Sequence, residues 1–237
     1  ENEKNYAAAT NNISVIDTLN KSVINGHYGE IFKAKDSAII TRRALAVNII
    51  DQDSLYIHAD TLIATGPTEK KILRGYYDVR IFKTDLRGKS DSLHLDQSTG
   101  LIKLLKLPLS RKENQILTAS QKNKKNPILW FGRSQMSGDK IFLTSDMETK
   151  KLDSLKIIGN SWIIERDSIS DIGFNQIKGG VLDGLFKEGE LREIDVSKNT
   201  EVVYYMYSDE DNELIGIDKT TCSRLKMVTK ENLLQRF

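Results

Sequence analysis

The chain has 237 residues, of which 39% are hydrophobic, enough for the core of one extended domain or two ordinary ones. Its 35 Lys and Arg residues nearly balance its 33 Asp and Glu residues, so no overall charge recruits a nucleic acid or repels a membrane. No apolar run approaches the roughly 20 residues that a bilayer-spanning helix needs, and the single cysteine, Cys222, excludes an internal disulfide. The composition therefore predicts a soluble protein that is held together by packing.

Short runs of alternating apolar and polar residues recur along the chain and predict β-strands. Clusters rich in Gly, Asp, Ser and Asn separate them and predict hairpin connections. In chain order, the clearest runs are 54–59, 78–83, 92–96, 101–105, 161–165 and 201–207. We predict an all-β chain with an N-terminal segment at 1–25, containing the first strand, and one elongated β domain at 26–237.

A strand-pair unit also recurs. Residues 88–104 follow the order Gly, polar link, Asp, apolar alternation, polar turn, apolar alternation, and residues 138–157 repeat that order. Looser copies start near Gly29, Gly179 and Gly216. Such recurrence is typical of stacked β architectures, although a β-sandwich with similar hairpins gives the same pattern.

Alternation within the runs selects the side chains that share one face. Those predicted to face the interior are Leu93, Leu95, Ile102, Leu104, Ile141, Leu143, Leu155, Ile157, Trp162 and Ile164, with Lys103 and Lys156 facing outward. The runs 101–107, 128–131 and 202–207 are apolar on both faces and need cover from a second sheet, another subunit or a ligand. A sealed core would use the same residues, so the pattern leaves core and ligand groove open.

A polar, basic loop is predicted at about 109–126. It concentrates positive charge in a segment poor in apolar residues, with Arg111, Lys112, Lys122, Lys124 and Lys125. These side chains are candidates for charge-assisted hydrogen bonds to the phosphates of a lipid head group. The alternative is a simple solvated loop.

No motif in the sequence predicts catalysis. A Gly-x-Ser-x-Gly elbow, a Cys/His pair and a Gly-rich phosphate loop are all missing. The histidines His27, His58 and His94 lack the tight spacing of a metal motif, and the acidic run 209–213 lacks the glycine of a calcium loop. We therefore predict a non-enzymatic protein that needs neither a metal nor a cofactor.

One set of segments resembles the OstA-like family of periplasmic lipopolysaccharide-transport proteins. Residues 53–62 are similar to the family's hallmark strand, in which an Ala-Asp pair, here Ala59-Asp60, comes just before a further apolar residue. The ordered segments 88–93, 127–130, 135–141, 174–179 and 216–218 resemble elements of the larger OstA-like proteins of Bacteroidetes-type bacteria. Together the matches span roughly 26–228. The chain differs from the small bridge proteins of the family in its length and in a polar insertion between Pro108 and Pro127.

The resemblance implies a twisted, partly open antiparallel β-jellyroll, or β-taco, built of repeated strand pairs. It also implies that the chain carries lipopolysaccharide, with acyl chains in an apolar groove and the sugar head in water. The ten interior-facing residues then become the expected groove lining. Each buried methylene is favourable by about 0.8 kcal/mol, so such a groove needs no catalytic chemistry to hold a lipid.

The expected location is the periplasm, including the periphery of the outer or inner membrane. The expected partners are lipopolysaccharide, other OstA-like transport components, and further copies of the chain joined head to tail by strand addition, with no nucleic acid. The alternative is a non-catalytic periplasmic or surface β-protein that binds carbohydrate or acts as an assembly scaffold. A carbohydrate binder is expected to show exposed aromatic platforms with polar partners in a cleft.

Overall fold

The computed structural model describes residues 5–49, 53–167, 169, 173–208, 210–230 and 233–236. Strands make up 69% of the chain and helices 8%, which confirms the all-β prediction. The strands are β1 (Tyr6–Asp17), β2 (Ser22–Phe32), β3 (Ser37–Asn48), β4 (Leu55–Thr65), β5 (Ile72–Lys83), β6 (Leu86–Asp96), β7 (Leu101–Leu105), β8 (Ile128–Phe131), β9 (Ser134–Ser137), β10 (Lys140–Ser145), β11 (Leu152–Arg166), β12 (Phe174–Lys187), β13 (Glu190–Tyr207), β14 (Leu214–Lys230) and β15 (Leu233–Arg236). The helices are α1 (Arg111–Ile116) and α2 (Ala119–Asn123), and single 3-10 turns lie at Lys33–Lys35 and Thr68–Lys70.

The described strands form one antiparallel sheet that follows the chain order from β1 to β7 and then from β10 to β15. The hairpin of β8 and β9 fills the gap, because β8 pairs with β6 and β9 pairs with β11. Strand β6 faces β7 with one half and β8 with the other, so β7 and β8 share one ladder position, as do β9 and β10. Strand β2 runs through residues 25 and 26, which places the predicted N-terminal segment in the same sheet as the rest.

The long strands are bulged near their middles, and the bulges lie side by side across the sheet. On every second ladder position the bulge contains two successive residues with positive φ, namely Asn11–Asn12, Arg42–Arg43, Tyr77–Asp78, Gly159–Asn160 and Lys198–Asn199. At the ladder position that β7 and β8 share, residues 106–127 are inserted between the two strands instead. A bulge bends its strand and increases its twist, so this aligned series of bulges bends the whole sheet. We call the series the fold line.

The fold line divides the sheet into two leaves that face each other. Leaf A contains 6–10, 28–32, 37–41, 61–65, 72–76, 92–96, 101–105, 140–145, 152–158, 181–187, 190–197 and 224–230. Leaf B contains 13–17, 22–25, 44–48, 55–58, 79–83, 86–90, 128–131, 134–137, 161–166, 174–178, 200–207 and 214–222. Phe131 of leaf B packs edge-to-face on Phe186 of leaf A, with ring centroids 5.1 Å apart. At Gly88 of leaf B, a Cβ would lie 2.5 Å from the side chain of Ile81, its cross-strand neighbour in the same leaf, so a larger residue would displace Ile81.

The core lies between the leaves and extends along most of the sheet. Leaf A contributes a row of cross-strand neighbours, each at most 2% exposed, which includes Ile40, Leu62, Leu93, Leu104, Ile141, Ile157, Leu182 and Val196. Leaf B opposes it with Ala46, Ile57, Ile81, Leu129, Met136, Ile163, Ile177 and Val202. Burying a Leu, Ile or Val side chain contributes about 1.5–3 kcal/mol. Opposite the fold line, the strand ends and turns of both leaves form the open edge of the sheet.

The helices of the described residues are short. Helix α1 has six residues and α2 has five, and no helix in this part of the chain is long and apolar enough to cross a membrane.

Candidate functional site

The predicted interior residues of β6, β7, β10 and β11 lie where alternation places them. All are at most 5% exposed: Leu93, Leu95, Ile102, Leu104, Ile141, Leu143, Leu155 and Ile157. They belong to one continuous core of buried side chains. Within this set, Leu95 and Ile102 also border cavities, whereas the others are enclosed by protein.

The prediction that Trp162 and Ile164 face the interior was wrong. The bulge at Gly159 and Asn160 shifts the register of β11, so the inward positions change from 155 and 157 to 161 and 163. Ile163 is 4% exposed and lies between the buried Met136 and Ile177. Trp162 and Ile164 are half-buried on the opposite, outer face of leaf B.

An apolar cavity opens between the leaves near the N-terminal end of the sheet. Its volume is about 220 Å³, and its apolar lining includes Ile31, Ala38, Ala64, Leu73 and Leu95 of leaf A and Val15, Ile24, Ala46 and Ile57 of leaf B. The space has a simple origin. Ala38 and Ala64 are cross-strand neighbours in the same row as Leu95, Ile102, Leu143 and Leu155, so small side chains replace large ones at this end.

The volume of this cavity fits a short hydrocarbon segment. A dry cavity of about 150 Å³ holds benzene, with its six carbons, so 220 Å³ accommodates about nine carbons. A second cavity of about 390 Å³ shares Leu95 and Asn48 with the first and continues along the open edge past Leu55 and Ile102. Its lining is more polar, and it includes Lys21 and Lys150.

The rim of the apolar cavity carries charged groups. Lys33, Asp36, Lys71 and Asp17 all border its opening. Among the described residues, Lys33 and Lys71 form no ion pair within 4 Å. An apolar interior below a rim of two ammonium and two carboxyl groups is suited to an amphiphile whose polar head lies at the rim.

One side chain ties the two leaves together beside this rim. The Asn20 amide nitrogen donates to Asp17 Oδ2 (2.9 Å) and to the Thr68 carbonyl oxygen (2.8 Å), and the Asn20 backbone donates to Asp17 Oδ1 (3.1 Å). Asp17 is the last residue of β1 in leaf B and Asn20 lies in the turn that follows, whereas Thr68 lies in a turn of leaf A. We call these bonds the latch.

The latch also determines the protonation of Asp17. Burial alone raises the pKa of its carboxyl group, but the hydrogen bonds from the Asn20 side chain and backbone, together with the positive charge of Lys71, outweigh that effect. The pKa of Asp17 therefore lies below its ordinary value of 3.8, and the carboxylate is charged at neutral pH.

The basic segment is ordered into two helices, not a plain loop. Ser110 and Glu113 form a capping box at the start of α1, and Thr118 and Gln121 form another at the start of α2. Lys125 Nζ lies 2.9 Å from Glu113 Oε1. This contact and the hydrogen bonds from Ser110 lower the pKa of Glu113 to about 2.

The segment is anchored at the fold line. Lys106 Nζ donates to Asn126 Oδ1 (3.0 Å) and to Asp139 Oδ1 (3.3 Å), and the Leu107 amide donates to Asp91 Oδ2 (3.3 Å). At β6 and β7 each leaf is about five residues deep, or roughly 17 Å. The predicted phosphate contacts Arg111, Lys112, Lys122, Lys124 and Lys125 thus belong to a segment attached a full leaf away from the open edge, and none of them borders the apolar cavity.

Glu165 and the histidines are the other side chains whose chemistry could serve acid–base catalysis or metal binding. Burial raises the pKa of Glu165, which accepts a hydrogen bond from Ser134 Oγ (3.1 Å) at the open edge of leaf B. Within the part of the chain that the structure describes, no three His, Cys, Asp or Glu side chains form a group able to hold a metal ion. His58 and His94 lie on the outer faces of different leaves.

The chain matches no protein-family model, and no curated protein matches it in sequence. What the cavity binds must therefore follow from its lining, its volume and its rim.

Proposed function

We propose that the protein binds lipopolysaccharide by enclosing part of an acyl chain of lipid A between the leaves. We also propose that it helps to carry this lipid across the periplasm to the outer membrane. The observation that carries the proposal is the apolar cavity of about 220 Å³ at the N-terminal end. The resemblance of residues 26–228 to OstA-like proteins supports the same assignment. A non-enzymatic role follows, because carriage needs burial and release but no bond chemistry.

The energetics favour binding by more than one contact. About nine buried methylenes contribute roughly 7 kcal/mol at 0.8 kcal/mol each, whereas association costs about 4–15 kcal/mol. Acyl burial in the first cavity alone therefore gives weak binding. Phosphates of lipid A placed at Lys33 and Lys71 add charge-assisted hydrogen bonds, and further acyl carbon has room in the second cavity beside Ile102.

The proposal revises the expected groove. The lining moves from the centre of the sheet, where Leu104, Ile141 and Ile157 fill the interior, to the small side chains at the N-terminal end. The phosphate contacts move from the inserted helices to the rim of the cavity. The finer architecture, a twisted and partly open β-jellyroll of repeated strand pairs, remains part of the proposal, and the opposed leaves and aligned bulges support it.

The ends of the sheet suit the proposed assembly. Strand β1 is the first strand of the ladder and β15 is the last, and an edge strand presents unpaired backbone groups that accept another strand. Joining β1 of one copy to the C-terminal end of another continues the sheet. The cavities of successive copies would then line up, which is what transfer along a periplasmic bridge requires.

Photo-cross-linking at matched positions tests the proposal. A photoreactive side chain replaces Ala38 or Ala64, which border the cavity, or Ile39 or Ile63, their neighbours on the outer face of leaf A. With purified lipopolysaccharide, we expect cross-linking at 38 and 64 and little at 39 and 63. Polysaccharide from which lipid A has been removed is expected not to compete.

Each variant must first show the β-type circular dichroism of the parent chain. Equal cross-linking at inner and outer positions of folded protein would contradict the proposed cavity. Cross-linking by a simple fatty acid but not by lipopolysaccharide would leave an acyl-chain site and remove the assignment to lipopolysaccharide.

A further inference from the structure

The outer face of leaf B carries a row of apolar and aromatic side chains. Cross-strand pairing places them side by side in the order Val47, Tyr56, Phe82, Arg87, Trp130, Gln135 and Ile164. Tyr56 is 41% exposed and Phe82 is 46% exposed. Over the same strands, the corresponding row on leaf A is Ile39, Ile63, Arg74, His94, Lys103, Phe142 and Lys156, with Phe142 as its one Phe, Tyr or Trp side chain. The aromatic row is thus specific to one face.

A cleft of about 560 Å³ lies within this row. Its lining is Trp130 together with Thr84, Asp85, Arg87 and Gly132. Clefts of this size with an aromatic wall and a few polar groups are typical of small-ligand sites. The cleft opens on the outer face, so it is separate from the apolar cavity between the leaves.

The aromatic and cationic groups of the cleft are held in place by their neighbours. Trp130 Nε1 donates to Gln135 Oε1 (3.0 Å), which fixes the indole ring. The Arg87 guanidinium lies 5.4 Å from the centre of the Phe82 ring, and Phe82 in turn packs on Tyr56 with centroids 6.2 Å apart. Side chains that are already ordered lose little entropy when a ligand binds.

The charged groups of the cleft retain their hydrogen-bonding capacity. In the described part of the chain, the Asp85 carboxylate and the Arg87 guanidinium have no hydrogen bond or ion pair. One is purely an acceptor and the other purely a donor. Together they carry no net charge, so they match a neutral ligand that offers many hydroxyl groups.

We propose that this cleft binds a neutral glycan chain. One hexose ring stacks its C–H face on Trp130, while its hydroxyl groups donate to Asp85 and accept from Arg87. Phe82 lies two strands from Trp130, about 10 Å away, so a second sugar unit reaches the Phe82 and Tyr56 rings. The site uses no residue of the apolar cavity, and it stands or falls independently of lipid carriage.

Tryptophan fluorescence tests the proposal directly. The chain has two tryptophans, so Trp162→Phe leaves Trp130 as the only one. In this background, the probes are maltohexaose, cellohexaose, mannohexaose and chitohexaose. We expect at least one of them to change Trp130 emission saturably, and Asp85→Ala and Arg87→Ala each to weaken that binding about tenfold or more, equivalent to about 1.4 kcal/mol.

Lys89→Ala is the matched control. Lys89 is an exposed cation of β6, two residues from Arg87 on the same face but outside the cleft, and its replacement is expected to leave binding unchanged. Circular dichroism confirms that each variant is folded. The proposal is overturned if no probe gives a saturable change, or if Lys89→Ala weakens binding as much as Arg87→Ala. Emission that depends on protein concentration and not on saccharide would instead assign this face to contact between copies, and would also overturn it.

Discussion

Removal of the latch is the most direct perturbation of the candidate lipid site. Asn20→Ala deletes the amide that bridges Asp17 Oδ2 and the Thr68 carbonyl. The first of these bonds lies within one turn of leaf B, whereas the second crosses to leaf A. Only the second directly resists separation of the leaves. We therefore expect Asn20→Ala to favour an open edge at the N-terminal end while the rest of the sheet stays folded.

The size of the effect follows from one hydrogen bond in a partly exposed position. A typical intramolecular hydrogen bond contributes about 0.5–1.5 kcal/mol net. A loss of about 1 kcal/mol changes the ratio of open to closed states about fivefold. Asn25→Ala is the matched control, because within the described residues the Asn25 side chain makes no hydrogen bond, although it is an asparagine of the same region.

The latch also has a defined pH dependence. The pKa of Asp17 is depressed below 3.8 in the folded state. The stabilising effect of the Asp17 carboxylate is therefore fully present when the pH is above the pKa of Asp17 in the unfolded chain. It is lost as the pH falls through the lower, folded value. The contribution of Asp17 to the free energy of unfolding should therefore be constant between about pH 5 and pH 8 and should fall below about pH 4. In Asn20→Ala this loss of stability at acid pH should be smaller, because the side-chain hydrogen bond to Asp17 has gone and only the backbone hydrogen bond remains.

Distances between spin labels measure this opening without any ligand. Labels at Lys21 and Glu69, next to the two partners of the latch, report the separation of the turns, with Cys222→Ser as the background. We expect a larger population of long distances in Asn20→Ala and an unchanged distribution in Asn25→Ala. If Asn20→Ala had the distance distribution of the parent protein at neutral pH, the latch would not hold the leaves together.

Three further predictions concern the sheet and its insertion. Ile157→Ala should lower the free energy of unfolding by about 2–4 kcal/mol, because Ile157 is fully buried. Ile158→Ala, on the outer face, should lower it by less than about 1 kcal/mol. Urea titration compares the two variants, and equal losses would contradict the assignment of faces. Tyr77→Asn should raise the free energy of unfolding by about 0.5–1 kcal/mol. Tyr77 has a φ of 62° and is 61% exposed, and asparagine tolerates this backbone conformation better than tyrosine. A lower melting temperature would refute this. The carboxyl group of Glu113 should titrate near its pKa of about 2, and Lys125→Met should raise that pKa towards 4.5. An NMR titration in which the two proteins have the same pKa for Glu113 would show that Lys125 is not the main partner of this carboxyl group.

Local alternation was sufficient to predict the strands and much of the interior. In β6, β7 and β10 the inward residues keep one parity along each run, and Leu95, Ile102 and Leu143 are buried as that parity requires. Alternation does not predict the faces of β11, because a bulge of two left-handed residues lies within one continuous strand. Gly159 and Asn160 are residues that favour this conformation, and they were the available signal that the parity changes before Trp162.

The helices of the insertion also had a local signal. Ser110 is followed three residues later by Glu113, and Thr118 by Gln121, which is the spacing of a capping box. The charge of the segment predicted a solvated loop, but reciprocal hydrogen bonds at each N-terminus stabilise a helical turn. The position of the segment had no such signal. Its attachment to the fold line depends on the pairing of β6 with both β7 and β8, which is a long-range property.

The cavity depends on that same long-range pairing. Ala38, Ala46 and Ala64 belong to different strands, and nothing in their local sequence connects them. Ala38 and Ala64 become neighbours through the register of β3 and β4, and Ala46 joins the cavity from the opposite leaf. Once the rows are known, side-chain volume decides the outcome. Where the row continues with Leu143 and Leu155 the leaves pack solidly, and where Ala38 and Ala64 lie side by side the same architecture leaves a cavity.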